Sequence, residues 1–122
     1  MYYKHQLGQK GESIAANFLQ SQGYDFIARN YHCPFGEIDL IAEKDGELIF
    51  FEVKTRFDDS EIPAVETVNY LKQKKLIRSA QCYLSQRKLF DTPWRIDVLG
   101  IELNSNGTLK DIEHLKGAVE EW

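Results

Sequence analysis

The 122-residue sequence predicts one α/β domain built on a mixed sheet. Three observations predict it. Residues 5–22 repeat apolar side chains at helical spacing, and a second helical repeat covers 64–87. Between them lie three strand-like runs, two of them joined by Asp45-Gly46, among the strongest short-range hairpin signals. A further strand-like run, WRIDVLGIEL (94–103), follows the second helix. The order is α-β-β-β-α-β with a short fifth strand to follow, in a chain long enough for one hydrophobic core and too short for two.

In the first helix Leu7, Gly11, Ile14, Ala15, Phe18 and Leu19 recur three and four apart, and Gly23 stands where a C-cap glycine belongs. YDFIARNY (24–31) reads as the first strand, ended by the Pro and Gly of HCPFG (32–36). EIDLIAE (37–43) and ELIFFEVKT (47–55) are the hairpin strands. In the second helix Val68, Leu76, Ala80, Tyr83 and Leu84 form an apolar stripe. Asn104–Gly107 is a turn, and the acidic tail beyond it carries no clear pattern.

The net charge of −4 and pI near 5.4 argue against a non-specific binder of bulk DNA. Lys72, Lys74, Lys75, Arg78, Arg87 and Lys88 nevertheless cluster, although such a run is usually a solvated face. The start has no signal-peptide core, and no apolar run reaches membrane-spanning length, so no membrane is expected as partner. Cys33 and Cys82 lack metal-ligand spacing, which suits a reduced, cytoplasmic setting.

A two-residue turn at Asp45-Gly46 sets Ile38 opposite Val53, Leu40 opposite Phe51 and Ala42 opposite Ile49, giving one apolar face. On the other face Ile41 meets Phe50, Glu37 meets Lys54, and Asp39 meets Glu52. Opposed carboxylates repel, and covering them adds a desolvation cost. A divalent cation between them removes both problems; oxygen-only ligands suit Mg²⁺ or Mn²⁺ better than zinc. Lys54 leaves the same face as Glu52, where it can hold a phosphate oxygen or orient an attacking water.

A plainer reading fits the same residues. A longer turn slips the register by one, Glu37 and Lys54 form an ordinary ion pair, and the acids face water. Glu12, beside Gly8, Ala15, Ala16 and Leu19 on the first helix, is a third acid at the edge of an inward surface. Alone it equally suits a surface position early in a helix.

Taken in order, Glu12, Asp39, Glu52 and Lys54 resemble the PD-(D/E)XK nuclease superfamily. The similarity is closer to the YraN-like family of small bacterial endonuclease-like proteins. It is carried by GESIAANFL (11–19), GYDFIARNY (23–31), GEIDLIA (36–42), FFEVKTR (50–56), KQKK (72–75) and RIDV (95–98). The resemblance implies the restriction-endonuclease-like αβββαβ core, a mixed sheet flanked by helices, shared with Holliday junction resolvases. It implies that Asp39 and Glu52 bind Mg²⁺ or Mn²⁺, that the Val53 carbonyl completes the sphere, and that Lys54 is catalytic. Glu12 matches the helix acid of the resolvase-like branch. Arg56, Lys72, Gln73 and Lys75 become candidates for holding nucleic-acid phosphates. Two positions depart from the pattern: Ile38 replaces the usual Pro before the Asp, and Ile96 an aromatic residue.

The activity so implied is metal-dependent hydrolysis of DNA phosphodiester bonds, on branched or damaged DNA, by a homodimer that cuts two strands. A non-catalytic module binding nucleic acid or protein on the same fold is the alternative, favoured by the acidic pI. Another phosphate ester, such as RNA or a nucleotide, is a third reading. No histidine is assigned to catalysis; His114 reads as structural or solvent-exposed.

Overall fold

A computed structural model describes residues 4–58 and 68–120. The elements are α1 (Lys4–Ser21), β1 (Asp25–Cys33), β2 (Gly36–Lys44), β3 (Glu47–Phe57), α2 (Tyr70–Gln86), β4 (Trp94–Leu103) and β5 (Leu109–Val119). The strands form one sheet in chain order, with β3 and β4 parallel and the other neighbours antiparallel. The mixed sheet and flanking helices are those expected from the sequence.

Local chemistry explains the boundaries. α1 stops because Gly23 adopts a positive φ of 87°, which lets Tyr24 N–H reach Leu19 O and Gly23 N–H reach Gln20 O. Asp45 and Gly46 both have positive φ, 53° and 79°, the backbone of the tightest hairpin turn. The hairpin register is the expected one from Lys44 opposite Glu47 through Leu40 opposite Phe51.

Three elements differ from expectation. β1 runs on through Cys33, and Pro34-Phe35 alone form the turn, since Cys33 pairs with Gly36. α2 begins at Tyr70 rather than 64, because the Asn69 side chain accepts the Lys72 N–H and fixes the start; positions 64–67 lie outside the described residues. β5 is no short strand: it spans eleven residues along β4. Its exposed Lys110, Asp111, Glu113 and Lys116 keep this edge from pairing with other chains.

The sheet separates two cores. Ala15 and Leu19 of α1 pack on Leu40, Ala42, Ile49, Phe51, Leu99 and Ile101. Leu76, Ala80 and Tyr83 of α2 pack on Ile41, Phe50, Ile96 and Val98. Ile38 belongs to this second core, not to the face of Leu40 as expected. Strict alternation therefore fails once between them, at Asp39. Opposite it, Asn30 has a φ of 55°, and β1 switches faces there too: Arg29 reaches α1 whereas Tyr31 packs toward α2.

Candidate active site

The break at Asp39 builds the site. Ladder pairing between β2 and β3 ends at Leu40 and Phe51, and the next hydrogen-bonded pair would join Ile38 to Val53. Instead Val53 N–H donates to Asp39 Oδ2 at 2.8 Å. The carboxylate thus fills the opening between the strands. A strand residue's N–H and C=O point to the same side, so the Val53 carbonyl faces this opening as well.

Glu52 is 3% exposed and points to the α2 face, as its neighbour Phe50 does. Its Oε1 lies 3.5 Å from Lys54 Nζ and 3.6 Å from Lys72 Nζ. Its Oε2, fully buried, accepts no hydrogen bond from the described residues. Burial and the neighbouring charge of Glu52 push the Asp39 carboxyl up to about 7. Burial likewise raises Glu52, with Lys72 and Lys54 opposing it. Two carboxylates have been brought close enough to resist ionising together.

Glu12 approaches from α1. Gly11, just before it, sits where a Cβ would lie 1.7 Å from Thr55 Oγ1, so α1 rests directly on β3. Arg29 fixes the same turn, with Nε 3.3 Å from Glu12 Oε1, Nη1 donating to Ser13 Oγ and Nη2 to Gln9 O. The negative charge of Glu12 is felt at Asp39, where it adds to the upward push. Nothing in the sequence singles out Arg29, one of several polar residues in the strand DFIARNYHC.

The remaining candidates are dispersed. Arg56 continues the strand face of Glu52 and Lys54 by alternation. Gln73 donates its side-chain amide to Val68 O, bracing the first turn of α2, and Lys75 is exposed beside Gly36. The expected pairing of Glu37 with Lys54 is replaced: Glu37 lies 3.7 Å from His32 Nδ1. Lys74 and Arg87 of the basic cluster lie over the rings of Tyr70 and Tyr83.

A second buried acid provides the control. Asp97 is fully buried on the α1 side, and both its oxygens are satisfied. Arg95 Nε donates to Oδ1 at 2.9 Å, Gly117 N–H donates to the same atom at 2.8 Å, and His114 Nε2 lies 2.7 Å from Oδ2. Burial would raise this carboxyl, but these hydrogen bonds outweigh it and hold it below the ordinary value. Arg95 is bound in turn to Glu47 and Tyr24. His114 is therefore structural, one of the two roles expected for it. The spacing of Arg95 and Asp97 matches that of Glu52 and Lys54. Only partner accounting separates a structural cluster from a site with an orphaned oxygen.

That orphaned oxygen, with Asp39 and the Val53 carbonyl, fits a hard divalent cation such as Mg²⁺ or Mn²⁺. Among the described residues no three His, Cys, Asp or Glu side chains gather into a fuller metal cage.

Two helices on opposite faces of a five-stranded mixed sheet, opened at Asp39 and Glu52, form a nuclease-like α/β core of the PD-(D/E)XK kind. Residues 11–101 match a family described as "Uncharacterised protein family UPF0102". A UPF0102 protein of Roseiflexus castenholzii is 41% identical over 116 residues, 94% of each chain. One from Chloroflexus aurantiacus is 42% identical over 119 residues, 97% of this chain and 96% of its own. One from Vibrio parahaemolyticus is 39% identical over 122 residues, 99% of this chain and 98% of its own. The chain belongs to the UPF0102, or YraN-like, family. Among the described residues no helix is long and apolar enough to cross a membrane.

Proposed function

We propose that the protein is a divalent-cation-dependent phosphodiesterase whose substrate is DNA, with branched or damaged forms preferred. One observation carries this reading: Glu52 is buried with an oxygen that no described residue satisfies, beside a second acid held well above its ordinary pKa. A fold does not keep such an arrangement for stability, since an unpaired buried acceptor costs about 1–3 kcal/mol.

Asp39, Glu52 and the Val53 carbonyl hold the cation, whose chemistry is to polarise the scissile phosphate and make water a stronger acid. Lys54 Nζ donates to a non-bridging phosphate oxygen and steadies the charge that grows during attack. Glu12 closes the acidic side of the site, positioned by Arg29. Lys72, Lys75 and Arg56 supply positive charge to flanking phosphates, while Gln73 braces the helix that carries two of them.

The test is cleavage of linear, nicked, flapped and four-way DNA with Mn²⁺, beside Glu52→Gln. Wild type cuts at least one substrate, and the variant, folded by circular dichroism, loses about 100-fold or more, since even outer-shell changes at metal sites cost 10–100-fold. The net charge of −4 favours a second reading, a non-catalytic binding module. DNA binding with Mn²⁺ but no cleavage of any substrate selects that module instead.

A further inference from the structure

Lys72 poses a question that phosphate binding alone does not answer. It reaches across from α2 to lie 3.6 Å from Glu52 Oε1, an oxygen already served by Lys54 at 3.5 Å. Lys54 belongs to the same strand face as Glu52, so its approach follows from alternation. Lys72 comes from a separate element, and the Asn69 cap sets the first turn of α2 that aims it there. Two ammonium groups on one carboxylate oxygen, with no described residue bonded to the other, is poor hydrogen-bond economy. It is good electrostatics where a dense positive charge belongs. About a third of each lysine side chain remains exposed, so each can move without opening the core.

Resting on the cation reading above, we propose that Lys72 is a built-in counter-ion, seated on Glu52 while the site is empty and released to bind phosphate when a divalent cation is held there. A doubly charged ion on Oε2 draws on the single negative charge of the same carboxylate, and so loosens the hold of Lys54 and Lys72 on Oε1. Lys72 has the freer exit, because its backbone is on the helix and its side chain can swing along the α2 surface toward Lys75. Its charge, spent on Glu52 in the empty protein, then becomes available to DNA. Cation and nucleic acid therefore bind with positive coupling, and Lys72 carries much of it. By linkage the coupling is reciprocal: the factor by which bound cation tightens DNA is the factor by which bound DNA tightens the cation.

The consequence runs against simple expectation for a residue beside a metal site: removing it tightens the metal. In titration calorimetry without DNA, Lys72→Met binds Mn²⁺ at least about fivefold more tightly than wild type, the lower end of ordinary coupling. Lys74→Met removes the same charge from the same helix without a contact to Glu52, since Lys74 lies over Tyr70, and shifts Mn²⁺ affinity less than twofold. Equal shifts in the two variants reduce the effect to general charge and overturn the proposal, as does Mn²⁺ affinity unchanged or weakened in Lys72→Met. If neither wild type nor Lys72→Met binds Mn²⁺, the cation reading itself falls with it. A measurement on wild type alone guards against a misfolded variant. Acetylation of lysines, followed by peptide mass spectrometry, proceeds faster at Lys72 when Mn²⁺ is added and unchanged at Lys74. A Lys72 rate that stays constant or falls overturns the proposal while leaving Mn²⁺ binding by wild type intact.

Discussion

Single buried acids divide this protein's work. Asp97 and Glu52 are both nearly inaccessible and both stand two residues from a cation on their own strand. Asp97 is satisfied by Arg95, His114 and the Gly117 amide, and its ordinary role is to tie β4 to β5. Removing one member of such a buried set leaves uncompensated charge, so Asp97→Asn is expected to cost about 3 kcal/mol in urea denaturation. Asp97 lies on the α1 side of the sheet and Glu52 on the α2 side, so folded Asp97→Asn keeps the Mn²⁺ affinity of wild type. Loss of metal affinity without loss of stability would reverse the roles assigned to the two acids. This distinction was not legible in the sequence, where RIDV and FFEVKTR present similar patterns. The nearness of Lys54 to Glu52 was legible from alternation, and that of Asp39 to Glu52 from the register a two-residue turn sets. The in-plane turn of Asp39 onto the Val53 amide was not, since it follows from a break in alternation between Ile38 and Leu40, matched across the ladder by Asn30's left-handed backbone.

Elements position these residues by close approach. Gly11 brings α1 against β3 and so carries Glu12 toward Asp39. A methyl group there would meet Thr55 Oγ1 at 1.7 Å and Thr55 Cβ at 2.9 Å. The hydroxyl can rotate away, but the Cβ cannot. Ala in place of Gly gains about 1 kcal/mol of helix propensity. Overpacking costs about 1–3 kcal/mol, so the clash wins when the backbone cannot yield. Gly11→Ala is expected to lower stability by about 1 kcal/mol net, with Thr55→Ala in the same chain recovering part of it through loss of Oγ1 and Cγ2. Denaturation of the two single variants and the double one measures that recovery, and strict additivity would count against direct contact. The same elements show what periodicity can and cannot give. β4 was expected over its observed bounds because WRIDVLGIEL alternates cleanly between two buried faces. β5 was read as short because an edge strand with Lys110, Asp111, Glu113 and Lys116 exposed has only scattered apolar positions. α2 was started too early because the apolar stripe includes Val68, which packs on the core from outside the helix, while the Asn69 cap went unrecognised.

Across the whole molecule the two kinds of buried acid impose opposite slopes on stability against pH. Asp39 in the metal-free protein is pushed up to about 7 by burial and by Glu52. An unfolded Asp releases its proton near 3.9. Between those values the folded state binds a proton that the unfolded chain has lost, so stability falls as pH rises. Glu52, also raised, acts in the same direction. Asp97 is lowered, so its contribution is present above the unfolded value and disappears as pH falls through its folded pKa. Stability in EDTA is therefore expected to peak well on the acid side, near pH 4, and to decline until pH passes about 7. Asp39→Asn keeps an acceptor for the Val53 amide, removes the titrating group, and flattens the neutral limb, becoming more stable than wild type near pH 8. Mn²⁺ then stabilises wild type far more near pH 8 than near pH 5, because a ligand carboxyl must give up its proton to bind. Urea midpoints measured across this range, with EDTA and with Mn²⁺, check each part. A wild-type midpoint in EDTA that climbs steadily to pH 8, with Asp39→Asn the less stable protein there, would mean that the two acids never strain the fold. The opening between β2 and β3 would then lose its physical reason for taking a cation.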